Sequence, residues 1–526
     1  MGNADPGLVM NAYLKPLATD AFLRTCRRGL RLGTVLGAWA ACQASAGTLL
    51  VKNALLITMK PGDEPCYAGY MLVGEDGRIA RIGAGDPPAS VAADRVLDAS
   101  GEFIAPGFIS AHSHLFSSPF RGIATEETLY GWGHGLQNLY RFIDSDDIYW
   151  CTLHGSLDFL RNGVTTAFDF TYSGAMGGTA VGLNEKVQPP SFKPGPFEEN
   201  QMRAKADAGL RFIDGIGIPE VGTHDEILAR FGSLYKYAQD TYGKNPLFLK
   251  VALSGGLQRA PTIATAYLET EVMKTFGVMD HSHFLESPER VPEQQAKFYW
   301  YEKAGTLGPN FIFAHFIQTN PDILRIAAKA GCSMSWQPAS NSRLASGVAD
   351  IPLYRSMGIG VSVGLDDQAC TDVSDPFQNL HIGLALIRTK YKSAKSLSVY
   401  DMLYLHTLGS AKVLGVADKV GSLEVGKFAD FLVVDPRDPD SGPIQVPIAT
   451  YVYACSLRNL KQVYVGGKLE VDGTRLLTFD ESKVRAEVYS RVARMEGQAK
   501  AAPLYGAEER DWLRLDDCGL PVAMSP

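Results

Sequence analysis

Between residues 107 and 415 the chain alternates short apolar runs with longer stretches in which apolar residues recur every three or four positions. Short apolar runs are typical of buried strands, and the longer spacing is typical of amphipathic helices. Eight strands separated by helices predict a (β/α)8 barrel of the TIM type. An open doubly wound sheet is disfavoured because no glycine-rich nucleotide fingerprint follows the first run. The eight strand-like runs are residues 108–114, 164–170, 210–216, 247–253, 278–286, 311–316, 332–337 and 361–366.

Strand-like stretches also flank this middle part, near both ends of the chain. Two of them contain turn signals, Asp76-Gly77 and Gly466-Gly467, that are typical of hairpins. We therefore predict that a small β-sandwich domain is built from both chain ends. The predicted organisation is an N-terminal extension at 1–46, a composite β-sandwich domain at 47–106 and 416–475, the barrel at 107–415 and a helical tail at 476–526.

Composition places the chain among ordinary globular proteins. It has 526 residues, of which 46% are hydrophobic, and a formal net charge of -7 from 50 basic and 57 acidic residues. No basic stripe is present, so nucleic acid is not expected as a partner. No run of 18 apolar residues is present, so a membrane is not expected either. The eight cysteines are scattered without a CxxC pair, which excludes a zinc ribbon and a dense disulfide framework.

The N-terminal extension has the order of an export signal. Residues 24–46 begin with a basic cluster, continue with small apolar residues and end in Ala-Ser-Ala, which matches an A-x-A cleavage site. The late start and Arg31, at the onset of the apolar part, argue against this interpretation. A cytoplasmic protein is favoured, and an exported or periplasmic one is the alternative.

Two histidines stand where the first barrel strand ends. Residues i and i+2 of a strand point to the same side, so His112 and His114 project together. In a barrel of this type the chemistry lies at the carboxyl ends of the strands. Paired neutral imidazoles at such a position indicate metal ligands.

Further ligand types follow at the ends of later strands. His283 ends the fifth run with Glu286 three residues on, His315 ends the sixth, and Asp366 and Asp367 end the eighth. Five of the ten histidines of the chain fall at these ends: His112, His114, His281, His283 and His315. Histidine nitrogens and carboxylate oxygens are the donors of a hydrolytic metal site that keeps a position for water.

These motifs resemble the amidohydrolase superfamily. The resemblance rests on the segments APGFISAHSHL, HFLE, FAHF and GSLEVGKFADFLVVD. More narrowly, HSHLFSSPFRGIA, NGVTTAFDF and PASNSRLASGVADIPLYRSMGIGVSVGLDD are similar to the subgroup of triazine hydrolases, cytosine deaminase and S-adenosylhomocysteine deaminase. Relatives in this superfamily usually form homo-oligomers, which is therefore the expected assembly.

The resemblance implies one divalent metal, Zn2+ or alternatively Fe2+, and three catalytic side chains. It assigns a metal-bound hydroxide to the attack on the substrate, Asp366 to accept a proton, Glu286 to shuttle one, and His315 to orient the hydroxide. It also implies a small-molecule substrate and hydrolysis of a non-peptide carbon–nitrogen bond, foremost deamination of an N-heterocycle. The metal ligands carried over are His112, His114, His283 and Asp366.

Several alternatives remain open from the residues alone. Lys250 could be a carbamylated lysine that bridges two metals, or an ordinary lysine. Asp367 could replace Asp366 as ligand, and His281 could approach the substrate or only pack. The same chemistry would serve an amide, carbamate or carbon–halogen bond, and an inactive binding protein is a remote further alternative. The Gly- and Pro-rich loop 171–200 is predicted to be a mobile lid.

Overall fold

The computed structural model describes residues 47–176 and 190–502. The predicted export signal, residues 177–189 of the predicted lid and the last 24 residues of the predicted tail lie outside the described residues. The strands are β1 (Leu49–Leu56), β2 (Tyr67–Val73), β3 (Ile79–Ala84), β4 (Arg95–Asp98), β5 (Phe103–Pro106), β6 (Phe108–Ser113), β7 (Val164–Phe170), β8 (Ala175–Met176), β9 (Ser191–Phe192), β10 (Arg211–Gly217), β11 (Phe248–Gly255), β12 (Asp280–Phe284), β13 (Phe311–His315), β14 (Ser333–Trp336), β15 (Gly360–Val363), β16 (Phe431–Val434), β17 (Leu460–Val465), β18 (Lys468–Asp472) and β19 (Arg475–Leu476).

Helices alternate with the middle strands and cover them. They are α1 (Leu129–Tyr140), α2 (Ser145–Arg161), α3 (Phe197–Ala208), α4 (His224–Tyr242), α5 (Ala264–Phe276), α6 (Val291–Ala304), α7 (Pro321–Ala330), α8 (Pro338–Arg343), α9 (Ile351–Ser356), α10 (Gln368–Thr371), α11 (Pro376–Tyr391), α12 (Val399–Tyr404), α13 (Ser410–Val413), α14 (Pro447–Ala449) and α15 (Glu481–Ala501). Short 3-10 turns occupy Leu115–Phe120, Leu257–Arg259 and Leu457–Asn459. None of the helices in these ranges has the length and apolar character needed to cross a membrane.

The eight predicted middle strands form a closed parallel barrel, so the fold prediction is confirmed. Hydrogen bonds connect them in the order β15-β14-β13-β12-β11-β10-β7-β6. A parallel bridge between Ser113 and Asp366 joins the last strand region to the first. Parallel pairing brings all carboxyl ends to one rim of the barrel.

Local signals explain why these helices begin and end where they do. Thr223 caps α4 and forms a reciprocal capping box with Glu226. Gly209 and Gly331 end α3 and α7 with φ of 87° and 79°, a left-handed conformation that glycine adopts without strain. Each of these glycines lets the chain turn into the next barrel strand within two residues.

Strands from both chain ends also come together, as predicted, and they form one sheet. One nine-stranded sheet joins β1–β5 to β16–β19 through the antiparallel pairing of β5 with β16. Buried Arg211, at the start of β10, donates to both oxygens of Asp430 at 2.7 Å, and Asp430 also accepts from the Gly466 N–H. This buried pair fixes the amino end of the barrel on the composite sheet.

Candidate metal and catalytic site

The histidines predicted as metal ligands meet inside the carboxyl rim of the barrel. His114 Nε2 and His283 Nε2 are 3.1 Å apart, and His112 Nε2 lies 3.2 Å from Asp366 Oδ1. His114 Nε2 lies 3.8 Å from the same carboxylate oxygen. Within the described chain, the ligand atoms of His112, His114 and His283 fall within 4.8 Å of one another. The same holds for His112, His315 and Asp366.

The protonation states suit a cation at this point. Burial and the charge of His112 lower the pKa of His114 to about 3, and burial with the neighbouring histidines lowers the pKa of His283 well below its usual value. Neutral imidazoles are the form that binds a metal. Both ring nitrogens of His112 are buried without a hydrogen-bond partner in the described protein, a costly arrangement that coordination would relieve. The residues present therefore fit a divalent metal.

The backbone at the strand ends is bent so that the ligands face inward. Asp366 has a φ of 67° and His315 a φ of 66°, which non-glycine residues rarely adopt. The Asp366 N–H donates to the His112 carbonyl at 2.9 Å, so this turn is held against β6. Positive φ values at residues that carry the predicted chemistry are typical of functional sites.

Glu286 and His315 lie next to the ligand cluster. His315 Nε2 is 3.5 Å from Glu286 Oε2 and 3.8 Å from Asp366 Oδ2. Burial, followed by the charge of Asp366, raises the pKa of Glu286 well above its usual range. For Asp366, burial acts to raise the pKa, yet His112, His315 and His114 together lower it. Two adjacent carboxyl groups thus differ in their affinity for a proton.

Asn341 is a site residue that the sequence analysis did not single out. Its side-chain nitrogen is 2.8 Å from His315 Nδ1 within the barrel mouth, and both residues are buried. The contact fixes the ring so that Nε2 faces Glu286 and Asp366. Asn341 lies in the quoted motif PASNSRLASG, which was the available signal, although no periodicity distinguishes it there.

Asp367 points away from the ligand cluster. Its carboxylate accepts hydrogen bonds from Ser117 Oγ and from the Ala369 N–H, and burial raises its pKa to about 8. Ser117 Oγ also contacts the His114 carbonyl at 2.8 Å. The geometry therefore favours Asp366 over Asp367 as ligand and gives Asp367 a supporting contact instead.

Lys250 and His281 lie below the cluster. Lys250 is the third residue of β11 and lines a cavity of about 150 Å3 with Phe276 and Met279, at the amino ends of the strands. This is the end of the barrel opposite the histidines, so the bridging alternative has no geometric support. His281 is fully buried, its ring centroid 5.2 Å from that of His112 and 4.5 Å from that of Phe168.

Aromatic side chains line one side of the mouth. Phe116 stacks on Tyr172 with centroids 5.4 Å apart, and Tyr140 meets Tyr172 edge to face. Trp132 and Phe120 are buried in the packing beneath, and the Trp132 indole N–H donates to the Ala369 carbonyl.

Comparison with protein families identifies the chain. The model of the amidohydrolase family matches residues 103–469. The chain belongs to the amidohydrolase family. It is thus a hydrolase of non-peptide carbon–nitrogen bonds, as the motifs predicted, and its site binds a divalent metal.

Individual relatives match this amidohydrolase over nearly their whole length. A 5-methylthioadenosine/S-adenosylhomocysteine deaminase of Syntrophobacter fumaroxidans is 26% identical over 467 residues, which cover 85% of this chain and 98% of the relative. A 5'-deoxyadenosine deaminase of Methanobrevibacter smithii is 24% identical over 466 residues, covering 86% and 99%.

Solved structures show the same fold. An adenosine deaminase from Xanthomonas campestris with bound zinc superposes with a TM-score of 0.74 at 21% identity, covering 85% of this chain and 98% of that one. A variant of atrazine chlorohydrolase from Arthrobacter aurescens, complexed with zinc and atraton, gives a TM-score of 0.74 at 21% identity over 84% and 100%.

Proposed function

We propose that this amidohydrolase removes ammonia from an amino-substituted N-heterocycle, with His112, His114, His283 and Asp366 as ligands of one zinc ion. The names of the two relatives, both deaminases of adenosine derivatives, support the reaction. The two zinc-bound structural neighbours support zinc over iron. When bound, the metal would supply Lewis-acid activation of water.

The observation that carries the proposal is the pair of carboxyl groups with opposite proton affinity. Glu286 is 3% exposed and its pKa is raised, whereas the pKa of Asp366 is lowered, so Glu286 is the carboxyl group that holds a proton more readily and Asp366 the one that ionises more readily. A general acid and a general base are commonly recognised by such a separation. His315 lies within 3.8 Å of both.

Deamination needs both a general base and a general acid. The oxygen of a water molecule adds to the ring carbon that carries the amino group, and the C–N bond to that group breaks. Asp366 is placed to accept one water proton, and Glu286 to deliver a proton to the ring nitrogen. The proton on Asp366 then leaves with the amino group as ammonia. The remaining hydroxyl proton of the adduct passes to Glu286 as the carbonyl forms, which regenerates Glu286 and accounts for both protons of the water.

His315 is proposed to act as an oriented donor. In the assigned amide orientation, Asn341 donates to Nδ1, which leaves the proton on Nε2, the nitrogen that faces Asp366 and Glu286. Burial lowers the pKa of His315 to about 3, so the ring is neutral. A neutral ring with a fixed tautomer polarises an electrophilic carbon without taking the proton from Glu286.

Amide, carbamate or carbon–halogen hydrolysis is the second candidate, because a chlorohydrolase shares the fold. The domain boundaries, the homo-oligomer and the cytoplasmic or exported location stay predictions. No nucleic-acid or membrane partner is proposed.

The deciding experiment combines metal analysis with a screen for ammonia release. Purified protein is analysed by inductively coupled plasma mass spectrometry and then assayed on amino-substituted purines, pyrimidines, pterins and triazines. About one zinc per chain with ammonia from any of these rings supports the proposal. One zinc with chloride or amine release, but no ammonia, favours the second candidate, and two metals per chain would reject the mononuclear site.

A further inference from the structure

An exposed cation stands at the mouth of the barrel, and the chemistry above does not use it. Arg259 ends the 3-10 turn Leu257–Arg259, which follows the carboxyl end of β11. Its side chain is exposed. Within residues 47–176 and 190–502 its guanidinium has neither a hydrogen-bond nor an ion-pair partner.

The backbone that carries this side chain is held firmly. Glu269 Oε1, fully buried, accepts from the Gly256 N–H at 2.7 Å and from the Leu257 N–H at 3.1 Å. On the other side the buried ammonium of Lys297 donates to the Gln258 carbonyl at 3.0 Å. A free side chain on a fixed turn is the arrangement expected of a preorganised ligand contact.

The charge of Arg259 influences the pKa values of several groups at the site. Burial and the neighbouring histidines lower the pKa of His283, and Arg259 adds to this effect. Burial and Asp366 raise the pKa of Glu286, and Arg259 opposes that rise. Burial also raises the pKa of Tyr140, and the charge of Arg259 opposes that rise. β11 pairs with β12, the strand that carries His283, so the turn with Arg259 lies at the same carboxyl rim as the ligand cluster.

Four other arginines near this rim contact protein groups. Arg290 lies 5.3 Å from the centroid of the Tyr130 ring. Arg121 pairs with Asp158 at 2.6 Å, and Arg230 pairs with Glu198. Arg343 donates to the backbone carbonyls of residues 123, 124 and 127. In a chain with a net charge of -7, a cation left without such a partner beside the site attracts an anionic ligand locally.

We propose that Arg259 binds an anionic substituent of the substrate, a carboxylate or a phosphate, while the amino-bearing ring occupies the ligand cluster. The substrate is then an amino-substituted heterocycle that carries a negative charge away from its reacting carbon. This inference rests on the proposed deamination. Arginine suits this contact because its planar guanidinium can donate hydrogen bonds to two oxygens of a carboxylate or phosphate at once.

The test compares three probes with the same base: adenosine, adenosine 5'-carboxylic acid and adenosine 5'-monophosphate. The wild-type protein should prefer a charged probe at least about tenfold in kcat/KM, and the better of the two identifies the anion. On that probe, kcat/KM of R259M should fall about 10- to 100-fold, mainly through a higher KM, as expected for the loss of a charge-assisted contact. The fall in kcat/KM on adenosine should be smaller by a factor of at least about ten. R259K should recover part of the loss.

Controls separate this inference from the proposed function. R325M removes a surface arginine that pairs with Asp322 on α7 and should behave as wild type. Added salt should raise KM for the charged probe in the wild type and have less effect in R259M. Zinc bound with no ammonia from any probe, nor from any ring of the screen above, would contradict the proposed function. Ammonia released without a preference for charge, or an equal loss on all probes in R259M, would overturn the role of Arg259 alone.

Discussion

Replacement of Lys205 by methionine should destabilise the barrel and weaken its metal site. Lys205 extends from α3 into the protein, where its ammonium donates to Asp169 Oδ2 at 2.7 Å and to Asp214 Oδ1. All three side chains are fully buried. Asp169 Oδ1 in turn accepts from the Leu115 N–H at 2.9 Å, directly after His114. The network therefore links a helix, two barrel strands and a ligand-bearing loop.

The magnitude follows from what the substitution leaves behind. Met fills most of the volume of Lys but leaves two buried carboxylates without their cation. Breaking a buried pair by removing one partner costs about 3–5 kcal/mol. Part of this loss is relieved by proton uptake, because burial already raises the pKa of Asp214 to about 6 in spite of Lys205. Without Lys205, Asp214 takes up its proton at a higher pH than in the wild type, so the deficit should shrink as the pH falls from 8 toward 6.

Urea-induced unfolding of the metal-free protein at pH 8 and pH 5 measures the loss of stability in Lys205→Met. Lys236→Met, which removes an exposed lysine paired with Asp240 on α4, is the matched control and should lose less than about 1 kcal/mol. The double variant Lys205→Met/Asp214→Asn should regain part of the stability. Titration with zinc should show weaker binding in Lys205→Met. A free energy of unfolding within 1 kcal/mol of wild type at pH 8 would refute this account of the network.

Further predictions concern the site and its support. Glu286→Gln should retain zinc but lose about 10²- to 10⁴-fold in turnover, measured by ammonia release; wild-type turnover would remove Glu286 from the mechanism. His112→Ala should lose both zinc and activity, and full metal occupancy would contradict its role as ligand. Asp367→Ala should weaken zinc binding about tenfold and Asp367→Asn less, as a competition titration would reveal. Because burial raises the pKa of Asp280 to about 7, the folded state holds a proton that the unfolded state releases near pH 4. Stability should therefore fall as pH rises from 4 to 7, and Asp280→Asn should flatten that dependence of the melting temperature.

The barrel and its ligand cluster could be predicted because two simple regularities carry them. Buried parallel strands are apolar throughout, so the eight runs stand out against amphipathic helices. Parallel pairing then brings the polar residue that ends each run to one rim. His114 and His283 are 169 positions apart in the chain, yet knowing only the strand to which each belongs is enough to bring them together.

The choice between Asp366 and Asp367 needed the structure because it depends on one backbone angle. In an extended strand these neighbours would point to opposite faces, and the sequence does not show where β15 stops. It stops at Val363, and the positive φ at Asp366 turns that carboxylate toward His112 while Asp367 turns to Ser117. The same limit applies to Lys250, whose distance from the site follows from its position early in β11. Asn341 lies on the short helix α8 and Arg259 on a 3-10 turn, and neither element is long enough to show a period in the sequence. Strand membership can therefore be predicted from the apolar pattern, while the direction of a side chain beyond the strand end is determined by turns and tertiary hydrogen bonds.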